Sequence, residues 1–478
     1  MFKKPDDVIK FIKEKGIRMV DFKFVDMLGK LYHITIPAQN FSLNMAKEGI
    51  GYDGSSIPGF KRIESGDMCV VPDIATGRMD PFWEMPTLSF MCNSVEADTK
   101  EKYQKDPRTV AQKAEKYLID SGIADKAFFG PEFEFYIFDK VTIENEPCAT
   151  SFHIVCEESI AGRGKSEVPS SGHKMVHKQG YHQSPPLDTL YNLRSNMVEE
   201  IEKFGIKVHY HHHEVGAPGQ SEIEISLRPL CEVADDTMAI KYLVRNVAER
   251  DGKTATFMPK PLFMEAGSGM HVHQYLSKNG KNLFYDKKGN YANLSKTALH
   301  YIGGLLKHGR ALTAFTNPST NSFKRLVPGY EAPVNLFFSL ANRSAAIRVP
   351  KYAIRPQNKR IEYRPPDFAC NIYYCLAALL MAGIDGIKNK IDPAKEHFGP
   401  YDIDIFSAPE KVKKRIVPLP ASLEEALEAL DKDHEFLLRG GVFTKDILES
   451  WKKIKLENEV KEVKNRPHPY EFQLYYGI

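Results

Sequence analysis

The sequence predicts an α+β fold in which a small N-terminal sheet domain precedes a much larger mixed body, and three observations carry that expectation. Before residue 100, short strand-like runs, Met19 to Phe24, Leu31 to Ile36 and Met68 to Val71, alternate with Gly, Pro and Asp turns. Beyond the charged stretch Asp98 to Arg108, strands and helices mix without the regular strand–helix–strand rhythm of a doubly wound sheet. At 478 residues the chain has the length of roughly two to three domains. The division expected is 1–105 and 106–478.

Element by element, Met1 to Gly16 sets Val8, Ile9, Phe11 and Ile12 among Lys and Asp, the pattern of a surface helix and not of a signal peptide. A helix over Val110 to Ser121 leads into a strand over Phe128 to Phe138. Residues 141–186 are polar and rich in His, Ser, Gly and Pro, an excursion from the main body. They include Gly164-Lys165-Ser166, but a phosphate loop needs a glycine five positions earlier, and Ser159 stands there with no apolar strand before it. From about 420 to 478 the pattern is helical. Ser422 and Glu425 form a capping box ahead of Leu423, Leu427 and Leu430, and a second helix carries Ile447, Leu448, Trp451 and Ile454.

Composition narrows the function classes. With 42% hydrophobic and 27% charged residues, the chain lies far from the disordered regime. A net charge of +3 without a basic stripe excludes nucleic acid as a partner. The seven cysteines, Cys69, Cys92, Cys148, Cys156, Cys231, Cys370 and Cys375, are scattered with no C-x-x-C pair, against both a disulfide framework and a zinc-thiolate site. The longest apolar run, Tyr373 to Ile384, is too short to span a bilayer, so no membrane is expected and a cytoplasmic location is.

Residues i and i+2 of a strand share a face, and four segments use that alternation in the same way. Glu132 and Glu134 alternate with Phe133 and Phe135, Glu222 and Glu224 with Ile223 and Ile225. His271 and His273 flank Val272, while Arg360, Glu362 and Arg364 alternate with Ile361 and Tyr363. A polar face in water is the ordinary reading of any one segment. Solvated faces mix in Lys, Thr, Ser and Gln, however, and these offer almost only carboxylate, imidazole and guanidinium. Gathered on one sheet the acids would repel unless cations separated them. Oxygen-rich donors with one or two imidazoles suit magnesium or manganese better than zinc. The run His209, His211, His212, His213, Glu214 lacks a zinc spacing. Glu214 is the member placed in the site, and most of the histidines are read as packing or surface residues.

A second group is cationic: Lys324-Arg325, Asn342-Arg343-Ser344 and Arg348, followed by Arg360 and Arg364. Arginine recognises carboxylate and phosphate bidentately. Metal-binding carboxylates beside several arginines meet the needs of phosphoryl transfer, with fixed positive charge where oxygen charge accumulates. Without a phosphate loop, a nucleotide must lie on the sheet face.

Seven segments in order carry a family resemblance: Asp53-Gly-Ser-Ser56, Gly130-Pro-Glu-Phe-Glu134, His212-His-Glu-Val215 with Gly219-Gln-Ser-Glu222, Gly267-Ser-Gly-Met-His271, Lys324-Arg-Leu-Val-Pro-Gly-Tyr-Glu331, Asn342-Arg-Ser344 and Arg360-Ile-Glu-Tyr-Arg364. They resemble the signature blocks of type I glutamine synthetase over nearly the whole chain. The resemblance implies an N-terminal β-grasp domain, a catalytic domain on a curved antiparallel sheet, and a homo-oligomer, a dodecamer of two hexameric rings. It implies one metal at Glu134, Glu214 and Glu222 and another at Glu132, His271 and Glu362, both Mg2+ or Mn2+. Arg325, Arg364 and the backbone of Gly267 would hold glutamate, Arg343 the transferring phosphoryl group, and His273, Arg348 and Arg360 would lie near ATP. Asp53 would take the proton of ammonium, and Glu331 would help form the ammonium site and shield a γ-glutamyl phosphate intermediate from water.

Some positions depart from the family pattern. Ala266 replaces the usual Asn before Gly-Ser-Gly-Met-His, and Tyr275 and Leu227 stand where many members have Ser and an aromatic near the nucleotide. The excursion resembles the subgroup adenylylated on a tyrosine, yet Phe406 takes that position; Arg62 resembles the other subgroup's arginine, linked to feedback inhibition by glutamine. Two other functions stand beside the main one. A γ-glutamyl-amine ligase would open the ammonium pocket that Asp53 and Glu331 keep, and a non-catalytic relative would have lost metal ligands that this chain retains.

Overall fold

Apolar residues at every second position draw the N-terminal strands into a sheet. The computed structural model describes residues 2–159, 172–329, 332–403, 405 and 408–478. Gly164-Lys165-Ser166, Glu331 and Phe406 lie outside the described residues. β1 (Met19–Val25), β2 (Leu31–Pro37), β3 (Ile50–Asp53), β4 (Asp67–Pro72), β5 (Arg78–Asp80) and β6 (Thr87–Glu96) form one sheet in the order β2-β1-β6-β4-β3, with β5 on β6. The pair β1·β6 is parallel. Val20, Phe22 and Phe24 are buried, as their alternation requires. The helix Pro5–Glu14 buries only Val8, as a surface helix would.

The strands of the large domain begin with β7 (Lys126–Phe138), followed by an exposed hairpin of β8 (Lys140–Glu146) and β9 (Ala149–Val155). Then come β10 (Val208–His213), β11 (Gln220–Ile225), β12 (Arg228–Pro229), β13 (Thr254–Thr256), β14 (Val272–Lys278) and β15 (Lys281–Asn282). β16 (Asn335–Leu340), β17 (Ala345–Val349), β18 (Ile361–Tyr363) and β19 (Val417–Pro418) complete the set. All but the hairpin join a curved sheet of order β10-β11-β7-β14-β18-β17-β16-β19, with β12 and β13 on β7 and β15 on β14. It is antiparallel except at β16·β17. The whole is α+β.

Phe133, Phe135, Ile223 and Ile225 point to the back of this sheet and are fully buried, Phe133 against Phe368 and Phe135 against Phe257 at ring separations of 4.9 and 5.2 Å. The apolar run at 373–384 lies in a buried helix, Ile372–Lys388, and no described helix is long and apolar enough to cross a membrane. Its cap also joins the domains. Asn371 Oδ1 accepts from the Tyr373 and Tyr374 amides at 3.1 and 3.4 Å, and its Nδ2 donates to the Asp26 and Met27 carbonyls at 3.0 Å each.

Two local expectations shift. The helix expected over Val110 to Ser121 runs Pro107–Asp120, because Asp106 caps it by accepting from the Thr109 amide at 2.9 Å and Pro107 suits the first turn. At Ser422 the cap is half a box. Ser422 Oγ accepts from the Glu425 amide at 3.2 Å, but the Glu425 carboxylate takes the Ala421 amide at 3.1 Å instead of that of Ser422.

Candidate active site

Strand register assembles the charged face. Across β11·β7, Glu222 stands directly opposite Glu134 and Glu224 opposite Glu132. Across β10·β11, His212 faces Glu222. Across β14·β18 and β17·β18, His273 and Arg348 each face Glu362. Like charges directly opposite destabilise a sheet, so the register alone sets a problem that the remaining geometry must answer.

Around Glu132 the answer is imidazole. Its Oε2 lies 2.8 Å from His271 Nδ1 and its Oε1 2.9 Å from His273 Nε2. Arg360 Nε donates to His273 Nδ1 at 3.3 Å, so Nε2 is the nitrogen that carries the His273 proton to Glu132. Burial pushes the Glu132 carboxyl up, but those hydrogen bonds win and hold it well below the usual range. Glu134 Oε2 accepts from the Gly269 amide at 2.7 Å. Glu222 is driven the other way: burial first, then the charges of Glu132, Glu214 and Glu134, lift its pKa well above the ordinary carboxylate value. Among the described residues no lysine or arginine pairs with Glu132, Glu134 or Glu222.

His212 adds a donor that sequence reasoning missed. It donates from Nδ1 to the His213 carbonyl at 3.0 Å, which turns the Nε2 lone pair toward Glu222 Oε1 at 3.7 Å, while burial lowers its pKa and keeps the ring neutral. With Glu222 ionised both atoms are acceptors, and the 3.7 Å between them leaves room for a cation that both could ligate. Ligand atoms of three groups, Glu132–Glu134–His271, Glu132–His273–Glu362 and His212–Glu214–Glu222, lie within 4.8 Å of one another. Largely buried and oxygen-rich, with no described lysine or arginine paired to Glu132, Glu134 or Glu222, these donors fit hard divalent cations. The signal for His212 was the i, i+2 step from Tyr210 through His212 to Glu214, hidden in a run of histidines. Its neighbour His213 is fully buried and bonded to Glu158 at 3.1 Å, a packing residue as expected.

The arginines ring the same cavity, of about 870 Å³, whose lining includes Arg325, Arg343, Arg348, Arg360 and Arg364. Glu362 is ion-paired to Arg364 and, at 2.7 Å, to Arg348, and burial's upward push on its pKa is outweighed by Arg364 first. Arg364 Nε donates to the Arg343 carbonyl at 3.0 Å. Arg325 is buried with its guanidinium on the carbonyls of Pro365, Pro366 and Arg364 at 2.7, 3.2 and 3.3 Å, and burial lowers its pKa. A Cβ at Gly267 would meet the Pro259 carbonyl at 2.6 Å and Arg325 Cγ at 2.7 Å, so glycine is required there. On the far rim Tyr275 stacks on Phe128 with centroids 4.9 Å apart, Leu227 lies against Gly130, and Tyr352 sits under Arg360 at 5.4 Å. Tyr181, His182, Tyr210 and Tyr352 also line the cavity and were not singled out from the sequence.

Asp53 is not brought into this cavity. It ends β3 in the small domain and lines a separate open depression of about 780 Å³. Its carboxylate accepts from Ser55 Oγ at 2.6 Å, Ser56 Oγ at 2.7 Å and the Ser55 amide at 2.9 Å, which lowers its pKa. Arg62, near that depression, is exposed.

Comparison with known proteins gives consistent results. The family profile "Glutamine synthetase, catalytic domain" matches residues 104–475, and "Glutamine synthetase, beta-Grasp domain" matches 16–97. A glutamine synthetase of Frankia alni is 48% identical over 479 residues, covering 100% of both chains, and one of Aquifex aeolicus is 48% identical over 474 residues, covering 99% of both. Among solved structures, a Plasmodium falciparum glutamine synthetase superposes with a TM-score of 0.91 at 29% identity over 99% of each chain. A GmaS–ADP complex gives 0.81 at 27% over 99% of this chain and 100% of that one.

Proposed function

This chain belongs to the glutamine synthetase family and is an enzyme of it, and we propose that it joins ammonia to the γ-carboxylate of L-glutamate through γ-glutamyl phosphate, giving L-glutamine, ADP and phosphate. The observation that carries the proposal is the opposed pair Glu134 and Glu222, buried with no lysine or arginine paired to either among the described residues, in a cavity lined by arginines. Two or more Mg2+ or Mn2+ ions, held by Glu134, Glu214, Glu222 and by Glu132, His271, Glu362, would neutralise phosphate oxygens during transfer.

The chain's own residues account for the rest. Arg325, Arg364 and the backbone of Gly267 hold glutamate with its γ-carboxylate toward the nucleotide, and His273, Arg348 and Arg360 lie along ATP. A carboxylate oxygen attacks the γ-phosphorus of ATP and ADP leaves, while Arg343 meets the charge spread over the transferring group. Phosphorylation is needed because a carboxylate is a poor electrophile. Ammonia then attacks the acyl carbon, and phosphate departs. The proton lost by ammonium goes to Asp53, whose serine hydrogen bonds keep it ionised and attractive to the cation. Glu331 completes the ammonium site and shields the acyl phosphate from water.

The family resemblance implies a dodecamer of two hexameric rings with each site completed by a neighbouring subunit, and the separate depression onto which Asp53 opens supports that reading. Co-expressed Asp53→Ala and Arg364→Ala subunits, each inactive alone, then regain activity at roughly a quarter of their sites. A γ-glutamyl-amine ligase is the second reading, and the likeness to GmaS is what favours testing it. Phosphate release with ATP and glutamate separates the two. Turnover with ammonium above that with any amine in a panel supports glutamine synthesis, and preference for a larger amine overturns it.

A further inference from the structure

Glu265 has no part in the chemistry above, yet it is 1% exposed, one residue before Ala266 and Gly267, which line the carboxylate-rich cavity. Burying one more anion there costs free energy that its bonds must outweigh. Those bonds reach two separate segments. Oε2 accepts from the Ala217 amide at 3.1 Å and from the Lys178 amide at 3.2 Å, and Oε1 takes His177 Nδ1. Ala217 lies three residues past Glu214, on the arm between β10 and β11; Lys178 lies just before Tyr181 and His182, which line the cavity. The excursion expected over 141–186 therefore returns to the site in its second half.

The turn that Glu265 begins is pinned along its backbone as well. Three consecutive carbonyls each accept from a side chain: that of Glu265 from Lys260 Nζ, that of Ala266 from Tyr136 OH at 2.6 Å, and that of Gly267 from Gln220 Nε2 at 3.1 Å. Tyr136 and Gln220 are both 0% exposed. Gln220 ties back to the same arm, its Oε1 accepting from the Gly216 amide at 2.6 Å. A turn held this way needs no side chain at position 266 to keep its shape, which is how alanine serves there.

We infer that Glu265 is a positioning residue, the buried acceptor that locks the turn 265–267 to the arm carrying Glu214 and to the segment carrying Tyr181, so that glutamate-binding and metal-binding groups keep one register. This rests on the proposed binding of glutamate and metal in the cavity. Glu158 provides a contrast. It too is buried, accepting from the Thr189 amide and hydroxyl at 2.8 Å each, the Gly219 amide at 3.0 Å and His213 at 3.1 Å, but it makes no bond to the 265–267 turn.

The test compares Glu265→Ala, Glu265→Gln and Glu158→Ala for the Michaelis constants of glutamate and ATP. It also measures Mn2+ binding to the nucleotide-free protein by electron paramagnetic resonance. Glu265→Ala should raise the KM for glutamate about tenfold and weaken Mn2+ binding by a similar factor, with the KM for ATP within about twofold of the parent. Glu265→Gln, which keeps one oxygen for the two amides, should recover most of the loss. Glutamate and Mn2+ constants equal to the parent's, or a rise in both substrates' KM matching that of Glu158→Ala, would overturn the inference. If Glu265→Ala does not fold, Tyr136→Phe decides. It should raise the KM for glutamate about threefold, and an unchanged value counts against a positioned turn. A parent that releases no phosphate with glutamate and ammonium sinks the functional proposal instead, and the Mn2+ measurement still reads Glu265.

Discussion

At the seam between the domains, Arg108 donates to both oxygens of Asp235 at 2.9 to 3.2 Å and to Asp73 at 2.7 Å, while Lys23 pairs with Asp80 at 2.6 Å. On the front of the large sheet Glu134 faces Glu222 and Glu132 faces Glu224, and the hydrogen-bond partners described for Glu132 and Glu134 are imidazoles and the Gly269 amide. Both regions are largely buried, but in the first each carboxylate named is paired with a lysine or arginine, whereas among the described residues Glu134 and Glu222 are paired with neither. At the seam the Arg108–Asp73 pair ties the large domain to the small one with what the chain supplies. Under the proposed function cations would finish the sheet face, so the same residue types that give cohesion in one place would give binding capacity in the other.

The largest expected effects fall on the incomplete region and on activity. Glu134→Ala and Glu362→Ala should each lower turnover by at least about a thousandfold at saturating magnesium while circular dichroism shows a folded chain. Near-parental turnover in either would erase the contrast. Next comes the complete region, where the cost is stability. Arg108→Met leaves the buried Asp235 and the half-buried Asp73 without their cation and should destabilise the chain by about 3–5 kcal/mol in urea, with residual folded protein still active. Loss of activity without loss of stability would show that the seam is not merely cohesive.

A smaller effect sharpens the rule for complete charge. His308 lies between Asp433 at 2.8 Å and Asp385 at 3.1 Å with its ring on Phe436. Burial pulls its pKa down, but the two aspartate hydrogen bonds outweigh it and the net value lies above 6.5. A raised folded value means stability fully present below about pH 6.5 and lost as pH rises through the folded pKa. His308→Asn should therefore cost about 2 kcal/mol at pH 6 and less at pH 9. A cost that grows with pH would contradict the pairing.

Much of this was legible in residue order because strands alternate. Glu132 with Glu134, Glu222 with Glu224 and Glu362 between Arg360 and Arg364 announce one charged face by spacing alone. Which strands are neighbours is a long-range fact, so the opposition of Glu134 to Glu222 and the turn of His212 toward Glu222 could not be read. Glu265 was invisible for the same reason, since its partners at 177, 178 and 217 are far away in sequence. The helix start at Pro107 was missed by local chemistry, a cap at Asp106 that apolar periodicity does not register.

The central claim, that the sheet face is short of positive charge until cations bind, is tested most directly by melting Glu222→Gln and the parent with EDTA and with saturating Mn2+. Relief of like-charge crowding should make the variant as stable as or more stable than the parent in EDTA. Loss of a ligand should make it less stable than the parent in Mn2+, so that the two melting curves exchange order. A variant less stable by the same margin in both conditions would mean that Glu222 is an ordinary buried side chain, and the account of the face as a cation site would fail.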